Sequence, residues 1–241
     1  MYPMKLLQEP RLSYFGPCPY IHEERCRFEY FYACDLDGPD LDEFLMRGWR
    51  KFGTYFFRPR CGFCKSCVPL RIPARKFKPT KSQRRLARKC EGIAVRFRAL
   101  EYRDEIFNIY REHSRDRFGR ESDLDEFIAS FYDSSCPALQ SEYYFGDELI
   151  AVGFLDVSAE ALSSVYFVYK TAYQQYRLGS YSIIKETEHA ALLGLAYYYL
   201  GYYVQENRSM AYKNYFHPHE IFDWDSQSWL REDQGRHNGI C

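Results

Sequence analysis

Between Glu142 and Val204 the chain follows a pattern that few architectures accept. Glu142-Tyr-Tyr-Phe145, a Gly146-Asp147 turn, Leu149 to Val157 and Ser163 to Tyr169 are apolar, β-branched and aromatic runs joined by short turns, which predicts an antiparallel meander. A helix follows. After Leu178-Gly179-Ser180, the run Tyr181 to Leu193 places Ile183, Ile184, Thr187, Ala190 and Ala191 on one side, and Gly194 ends it. Ala196 to Val204 then returns as a buried strand. Strands, glycine turn, amphipathic helix and strand in that order predict an α+β fold: a mixed sheet with flanking helices.

The first half is less regular. Phe28 to Tyr32 reads as a strand, and Arg47 to Phe57 as a hairpin turning at Gly53. Pro69, Pro73 and Pro79 make 68–80 extended, after which Ser82 caps a short basic helix, Gln83 to Cys90. Tyr102 to His113 carries one apolar face, and Ser122 can cap a second helix from Asp123 to Tyr132. Met1 to Arg11 reads as a plain polar start. The division expected is a basic, cysteine-containing region over 1–98, a main domain over 99–230, and a disordered polar tail over 231–241.

No acidic residue occurs between Glu43 and Glu91, a stretch that holds 15 of the 33 lysines and arginines, so 18 bases face 33 acids elsewhere. A net charge of zero thus conceals a strong asymmetry. Such a block is expected to meet an anion, either carboxylates or phosphates. Arg58, Arg60 and Arg71 flank a cysteine loop and suit a carboxylate, which a guanidinium grips with two parallel N–H groups. Arg84, Arg85, Arg88 and Lys89 would form a helical stripe suited to phosphates.

Nine cysteines with no apolar leader point to free thiols in a reducing cytoplasm. The longest apolar run, Ala190 to Val204, falls short of the roughly 20 residues a membrane span needs. Cys61-Gly-Phe-Cys64-Lys-Ser-Cys67 has the spacing by which thiolates converge on one ion, with Cys18 as a fourth ligand. Two readings stay open there: a metal or iron–sulfur site, and plain reduced thiols. Gly201 inside a strand signals close approach of another group. Glu188-His189 has the look of an acid–base pair, but His189 nears the apolar face and reads as a packed histidine.

The order of the second-half elements resembles the core of the GNAT acyltransferase fold, in which amides at the turn before the helix grip an anionic part of the acyl donor. Here that turn is Arg177-Leu-Gly-Ser180, without the second glycine of a coenzyme A loop. More specific are Arg58-Pro-Arg-Cys-Gly-Phe-Cys-Lys-Ser-Cys-Val-Pro-Leu-Arg-Ile-Pro73 and Phe77-Lys-Pro-Thr-Lys-Ser-Gln-Arg-Arg85, together with Ser164-Val-Tyr-Phe167, Leu178-Gly179, Tyr199-Leu-Gly-Tyr202 and Met210-Ala-Tyr-Lys213. In order and spacing they resemble the arginyl/leucyl-tRNA–protein transferases, from about Cys18 to Trp224.

The resemblance implies an enzyme that moves an aminoacyl group from a charged tRNA to the N-terminal amine of a protein beginning with Asp or Glu, marking it for degradation. The compact length resembles the bacterial branch and favours Leu-tRNA over Arg-tRNA. It places Tyr166, Tyr202 and Lys213 around the aminoacyl ester, and Arg58, Arg60, Arg71, Gln83 and Arg84 at the acceptor. Arg85, Arg88, Lys89, Arg177 and Ser180 fall to the tRNA. The chain departs from the family in having Tyr176-Arg177 where Arg-Ser usually precedes Leu-Gly, and Tyr202-Tyr203 where Tyr-Trp is common. No cofactor is required, because an ester becoming an amide runs downhill. A leucyl group needs an apolar cavity and an arginyl group a carboxylate at its base; Asp156, Glu186 and Glu188 keep the second choice open. Rival readings are a coenzyme A-dependent N-acetyltransferase and a non-catalytic RNA-binding protein.

Overall fold

A computed structural model describes residues 4–232. Strand β1 (Lys5–Leu12) pairs with β4 (Phe28–Cys34), and a small ribbon, β2 (Gly16–Pro17) with β3 (Arg25–Cys26), lies between them in sequence. Helix α1 (Gly38–Met46) follows, held by a capping box in which Asp37 and Asp40 bond each other's backbone. The expected hairpin is present as β5 (Arg50–Phe52) and β6 (Tyr55–Pro59), and the four strands form a sheet ordered β1-β4-β6-β5. Phe31, Phe56 and Trp49 pack beneath it, Phe31 stacking on Phe56 at 4.8 Å.

The second sheet has eight strands. Strand β7 (Val68–Pro73) lies at its centre-left, and helix α2 (Lys81–Lys89) leads to the edge strand β8 (Ile93–Ala99). After α3 (Asp104–Phe118) and α4 (Leu124–Phe131) come the expected meander strands β9 (Ala138–Phe145), β10 (Glu148–Val157) and β11 (Ala161–Tyr169). Helix α5 (Leu178–Leu192) crosses to β12 (Tyr197–Tyr203), which runs parallel to β11 while every other pairing of the sheet is antiparallel. A short helix α6 (Arg208–Ala211) precedes the hairpin β13 (His219–Asp223) and β14 (Ser228–Glu232), giving the order β14-β13-β7-β12-β11-β10-β9-β8.

The α+β expectation with a mixed sheet and flanking helices therefore holds. Several boundaries do not. Thr80, not Ser82, caps α2, because Gln83 stands three residues later to close the capping box. Asp123 rather than Ser122 caps α4 by accepting from the Glu126 amide. Helix α3 runs five residues past His113 to Gly119, whose left-handed φ of 62° ends it. The polar start is strand β1, and the tail's first residues, Arg231 and Glu232, belong to β14; the remainder of that tail lies outside the described residues. A boundary at 98 also cuts the large sheet, since β7 and β8 are two of its strands. Tyr199 buries its ring in the core under the small sheet, so the two sheets share apolar contacts.

Candidate active site

The cleft arises where the parallel pair comes apart. Strands β11 and β12 pair at Ala161↔Tyr197, Leu162↔Tyr198 and Ser163↔Tyr199, and no further. Beyond that point Ser164 to Phe167 and Leu200 to Tyr202 form facing walls of a cleft of about 860 Å³, which the start of α5, the end of α3, and Tyr20, Phe52, Phe57 and Met210 complete. Arg50 fills the wedge: Nη1 donates to Ser163 Oγ at 2.7 Å and Nη2 to the Ser164 carbonyl. Gly201 takes a left-handed φ of 79° at a shift in the β12–β7 register, and a Cβ there would meet the Arg50 guanidinium at 3.5 Å. Arg50 is thus the close approach that the glycine signalled.

Lys213 lies across the same bulge. Its Nζ donates to the carbonyls of Leu200 and Tyr202 at 2.8 and 3.0 Å, the two residues flanking Gly201. Burial, then the nearby Arg50 charge, push this amine down to about 7, against carbonyls that favour the ammonium form. Tyr202 sends its hydroxyl toward the Gly48 and Phe57 carbonyls, and burial holds its pKa far above the usual value. Tyr166 is half-buried, stacked on Phe131 and pushed up to about 12 by burial. All three expected ester-side residues, Tyr166, Tyr202 and Lys213, line the cleft, as do Arg177 and Ser180.

At the mouth of the cleft stand three exposed arginines: Arg117 and Arg120 from the end of α3, and Arg177. Arg177 holds a left-handed φ of 49° at the N-cap of α5 and makes no side-chain cap; its carbonyl accepts from the Ser180 and Tyr181 amides, so the Leu178 and Gly179 amides, on residues that line the cleft, are the ones outside the helix ladder. Among the described residues the lining contains neither aspartate nor glutamate. The acids that could have served an arginyl group are committed elsewhere. Asp156 pairs with Lys51 at 2.9 Å, and Glu188 pairs with Lys185 on the surface. Glu186 is buried under the sheet, accepting from Ser141, Tyr143 and Tyr198. His189 is a packed residue, its ring 3.6 Å from that of Phe97.

The residues expected at the acceptor are not gathered in the cleft. Arg58 and Arg60 both donate to Glu29 Oε2, at 2.7 and 2.8 Å, and Arg58 also lies over Trp49. Arg71 pairs with Glu220 at 2.7 Å, donates to the Tyr199 hydroxyl at 2.8 Å, and is held between the Tyr197 and Trp229 rings. Residues 197 and 199 point to one face of β12 and residues 198 and 200, which line the cleft, to the other, so Arg71 sits on the wrong side of the sheet. Gln83 is spent in the α2 capping box and on the Tyr215 carbonyl at 3.0 Å, and Arg84 donates to the Pro79 carbonyl at 2.6 Å. Arg84, Arg85, Arg88 and Lys89 remain exposed along α2, with Lys89 also donating to the Gln175 carbonyl.

The thiols gather outside the cleft. Cys67 is pushed up to about 12 by burial first and then by Cys18, Cys61, Cys64 and Cys26, which places the four expected ligands and a fifth thiol in one neighbourhood. Among the described residues no three Cys, His, Asp or Glu side chains stand close enough to hold one ion. Burial, with mutual repulsion among the neighbouring sulfurs, raises the Cys26, Cys61 and Cys67 thiols. No helix among the described residues is long and apolar enough to cross a membrane.

A cleft opened between parted parallel strands, lined by six lysines and arginines and, among the described residues, by no acid, suits a site that handles anionic substrates. Comparison with known proteins gives the family. The description "Arginine-tRNA-protein transferase" fits the chain twice, its N-terminus over residues 16–85 and its C-terminus over 104–223. A protein of Chromobacterium violaceum named "Aspartate/glutamate leucyltransferase" is 30% identical over 84% of this chain and 86% of its own length. Another of that name from Thiobacillus denitrificans is 35% identical over 72% of this chain and 74% of its own. The chain belongs to the arginine-tRNA-protein transferase family and is an aminoacyltransferase. Among solved structures, FemX gives a TM-score of 0.44 at 11% identity, covering 71% of this chain and 62% of that one.

Proposed function

We propose that this enzyme moves a leucyl group from Leu-tRNA to the N-terminal amine of proteins beginning with Asp or Glu. The observation that carries the donor choice is the acid-free cleft: an arginyl guanidinium would enter a chamber of arginines and lysines with no carboxylate to meet it. Phe52, Phe57, Val165, Leu200 and Met210 give an apolar lining that suits a leucyl side chain. The parted strands, with a helix N-terminus beside them, support a GNAT-like reading of the sheet. In that reading the open amides of α5 and Arg177 meet the donor's anionic end.

The chemistry follows from these residues. The acceptor amine attacks the leucyl carbonyl carbon, a C–N bond forms, and the bond from that carbon to the tRNA ribose oxygen breaks. The amine must shed a proton, and Lys213, held near neutrality beside Arg50, takes it; the departing ribose oxygen gains one. An amine with an ordinary pKa near 8 needs only modest help, so orientation in the cleft and polar groups around the carbonyl supply much of the rate. The stripe Arg84, Arg85, Arg88 and Lys89 on α2 is read as a track for tRNA phosphates. The Cys18, Cys61, Cys64 and Cys67 cluster is read as structural, with no cofactor in the reaction. The test is mass spectrometry of peptides starting Asp, Glu, Asn or Ala after incubation with Leu-tRNA. A gain of one leucyl residue on the Asp and Glu peptides alone is expected; no gain on any peptide would refute the reading.

A further inference from the structure

We infer that Arg50 is the residue that recognises the acceptor's acidic side chain, an inference that rests on the transfer reading above. Arg50 is nine-tenths buried, at 9% exposure, and forms no ion pair of its own among the described residues: Asp156, whose charge reaches it, is already paired with Lys51. Its two bonds go to the Ser163 hydroxyl and the Ser164 carbonyl, leaving other N–H donors of its five at the floor of the cleft. A buried charge without a counter-ion is costly, and proteins ordinarily pair it. Among the described residues the two other cations with less than a tenth of their surface exposed obey that rule, Lys51 meeting Asp156 and Arg71 meeting Glu220, while the less buried Lys213 is pushed toward its neutral form instead. Arg50 is left for an anion that arrives with the substrate.

The acceptor supplies that anion in the right chemistry. A carboxylate matches the guanidinium fork, and Asp or Glu carries one in the ground state, whereas the oxyanion formed during transfer is transient and needs no full buried charge. Depth separates this site from the arginines at the rim. Arg117, Arg120 and Arg177 are exposed and suit polynucleotide phosphates, while Arg50 lies behind them against Gly201. A side-chain carboxylate is only a few bonds from its own α-amine. Seated on Arg50, it brings that amine to Lys213, which bonds the carbonyls on either side of the same glycine. The bulge thereby couples recognition to reaction.

The experiment compares kcat/KM for matched peptides starting Asp and Asn, using Leu-tRNA with the wild type, Arg50→Met and Arg50→Lys. The wild type is expected to prefer Asp, and Arg50→Met to shrink the Asp-over-Asn ratio about ten- to a hundred-fold; the ratio is the readout because losing the charge beside Lys213 lowers the rate on both peptides, and Arg50→Lys is expected to fall between. Equal loss on both peptides, with the Asp preference intact, overturns the proposal and assigns Arg50 to the oxyanion or to the donor. Failure of the wild type to transfer to either peptide overturns the reading beneath it instead. Should Arg50→Met not fold, Arg50→Lys carries the comparison. A thermal melt of the wild type with each peptide adds a readout free of variants: Asp is expected to raise Tm more than Asn, and equal shifts would count against the site.

Discussion

Glu186 stands mid-way along α5 with 1% of its surface exposed, and its pKa is raised from 4.5 to about 7, burial outweighing the Tyr198, Ser141 and Tyr143 hydroxyls. Between those values the folded carboxyl keeps a proton that the unfolded one has lost. Its stabilising contribution is therefore complete below about pH 4.5 and is lost as pH rises through about 7. At about 1.4 kcal/mol per pH unit the gap is worth on the order of 3 kcal/mol. Glu186→Gln keeps the volume and an acceptor for the hydroxyls but cannot titrate. Urea unfolding of both proteins at pH 5 and pH 8 isolates the group, because every other titration, that of Lys213 included, is common to the two. The stability difference between them is expected to move by about 3 kcal/mol toward the variant from pH 5 to pH 8. A difference that stays constant with pH would refute the argument that burial governs this carboxyl.

Lys213→Met is expected to cost about a hundred-fold or more in kcat and to abolish a limb at which rate rises with pH through about 7, leaving the acceptor amine's own limb near 8 in single-turnover profiles. Arg71→Ala leaves Glu220 without its partner in a largely buried pair and is expected to destabilise the fold by about 3 kcal/mol in denaturant melts, without changing the preference for Asp over Asn peptides. Replacing Arg85 and Arg88 with Ala should weaken tRNA binding alike for every tRNA and flatten its salt dependence, read from filter binding across salt concentrations. Chelation is expected to leave turnover unchanged, since the cysteines lie outside the cleft; a loss of kcat restored by zinc or iron would place an ion in the chemistry.

What could be read from the sequence was whatever depends on local pattern. The meander, the glycine-led helix and the strand after it follow from alternation, from Gly146 and Gly194, and from the α5 stripe, so the cleft-forming half of the sheet was visible in advance. The caps lie one or two residues from the expected positions because Ser82 and Thr80, or Ser122 and Asp123, are equally capable in isolation; only Gln83 three residues past Thr80 decides one case. Strand β1 gives a weak signal because its exposed and bulged residues break the alternation, and β13 and β14 because five-residue runs such as His219-Glu-Ile-Phe-Asp223 mix charged and apolar residues without a strict period of two. The acid-free stretch marked a cationic region but not which of its members reaches the cleft. Arg50, Arg58 and Arg71 are alike as letters; Glu29 and Glu220, distant in sequence, neutralise two of them and leave the first. Arg117 and Arg120 lie outside that stretch, among acids, and only the end of α3 brings them to the cleft.

The preference for leucine turns on a cleft that, among the described residues, holds cations and apolar groups but no carboxylate. Its most direct test is single-turnover transfer to an Asp-starting peptide from Leu-tRNA and Arg-tRNA at equal concentrations. Leucine transferred at least a hundred-fold faster, on the order of the 3 kcal/mol that one unpaired buried charge costs, is the predicted result. Arginine transferred as fast as leucine would contradict it.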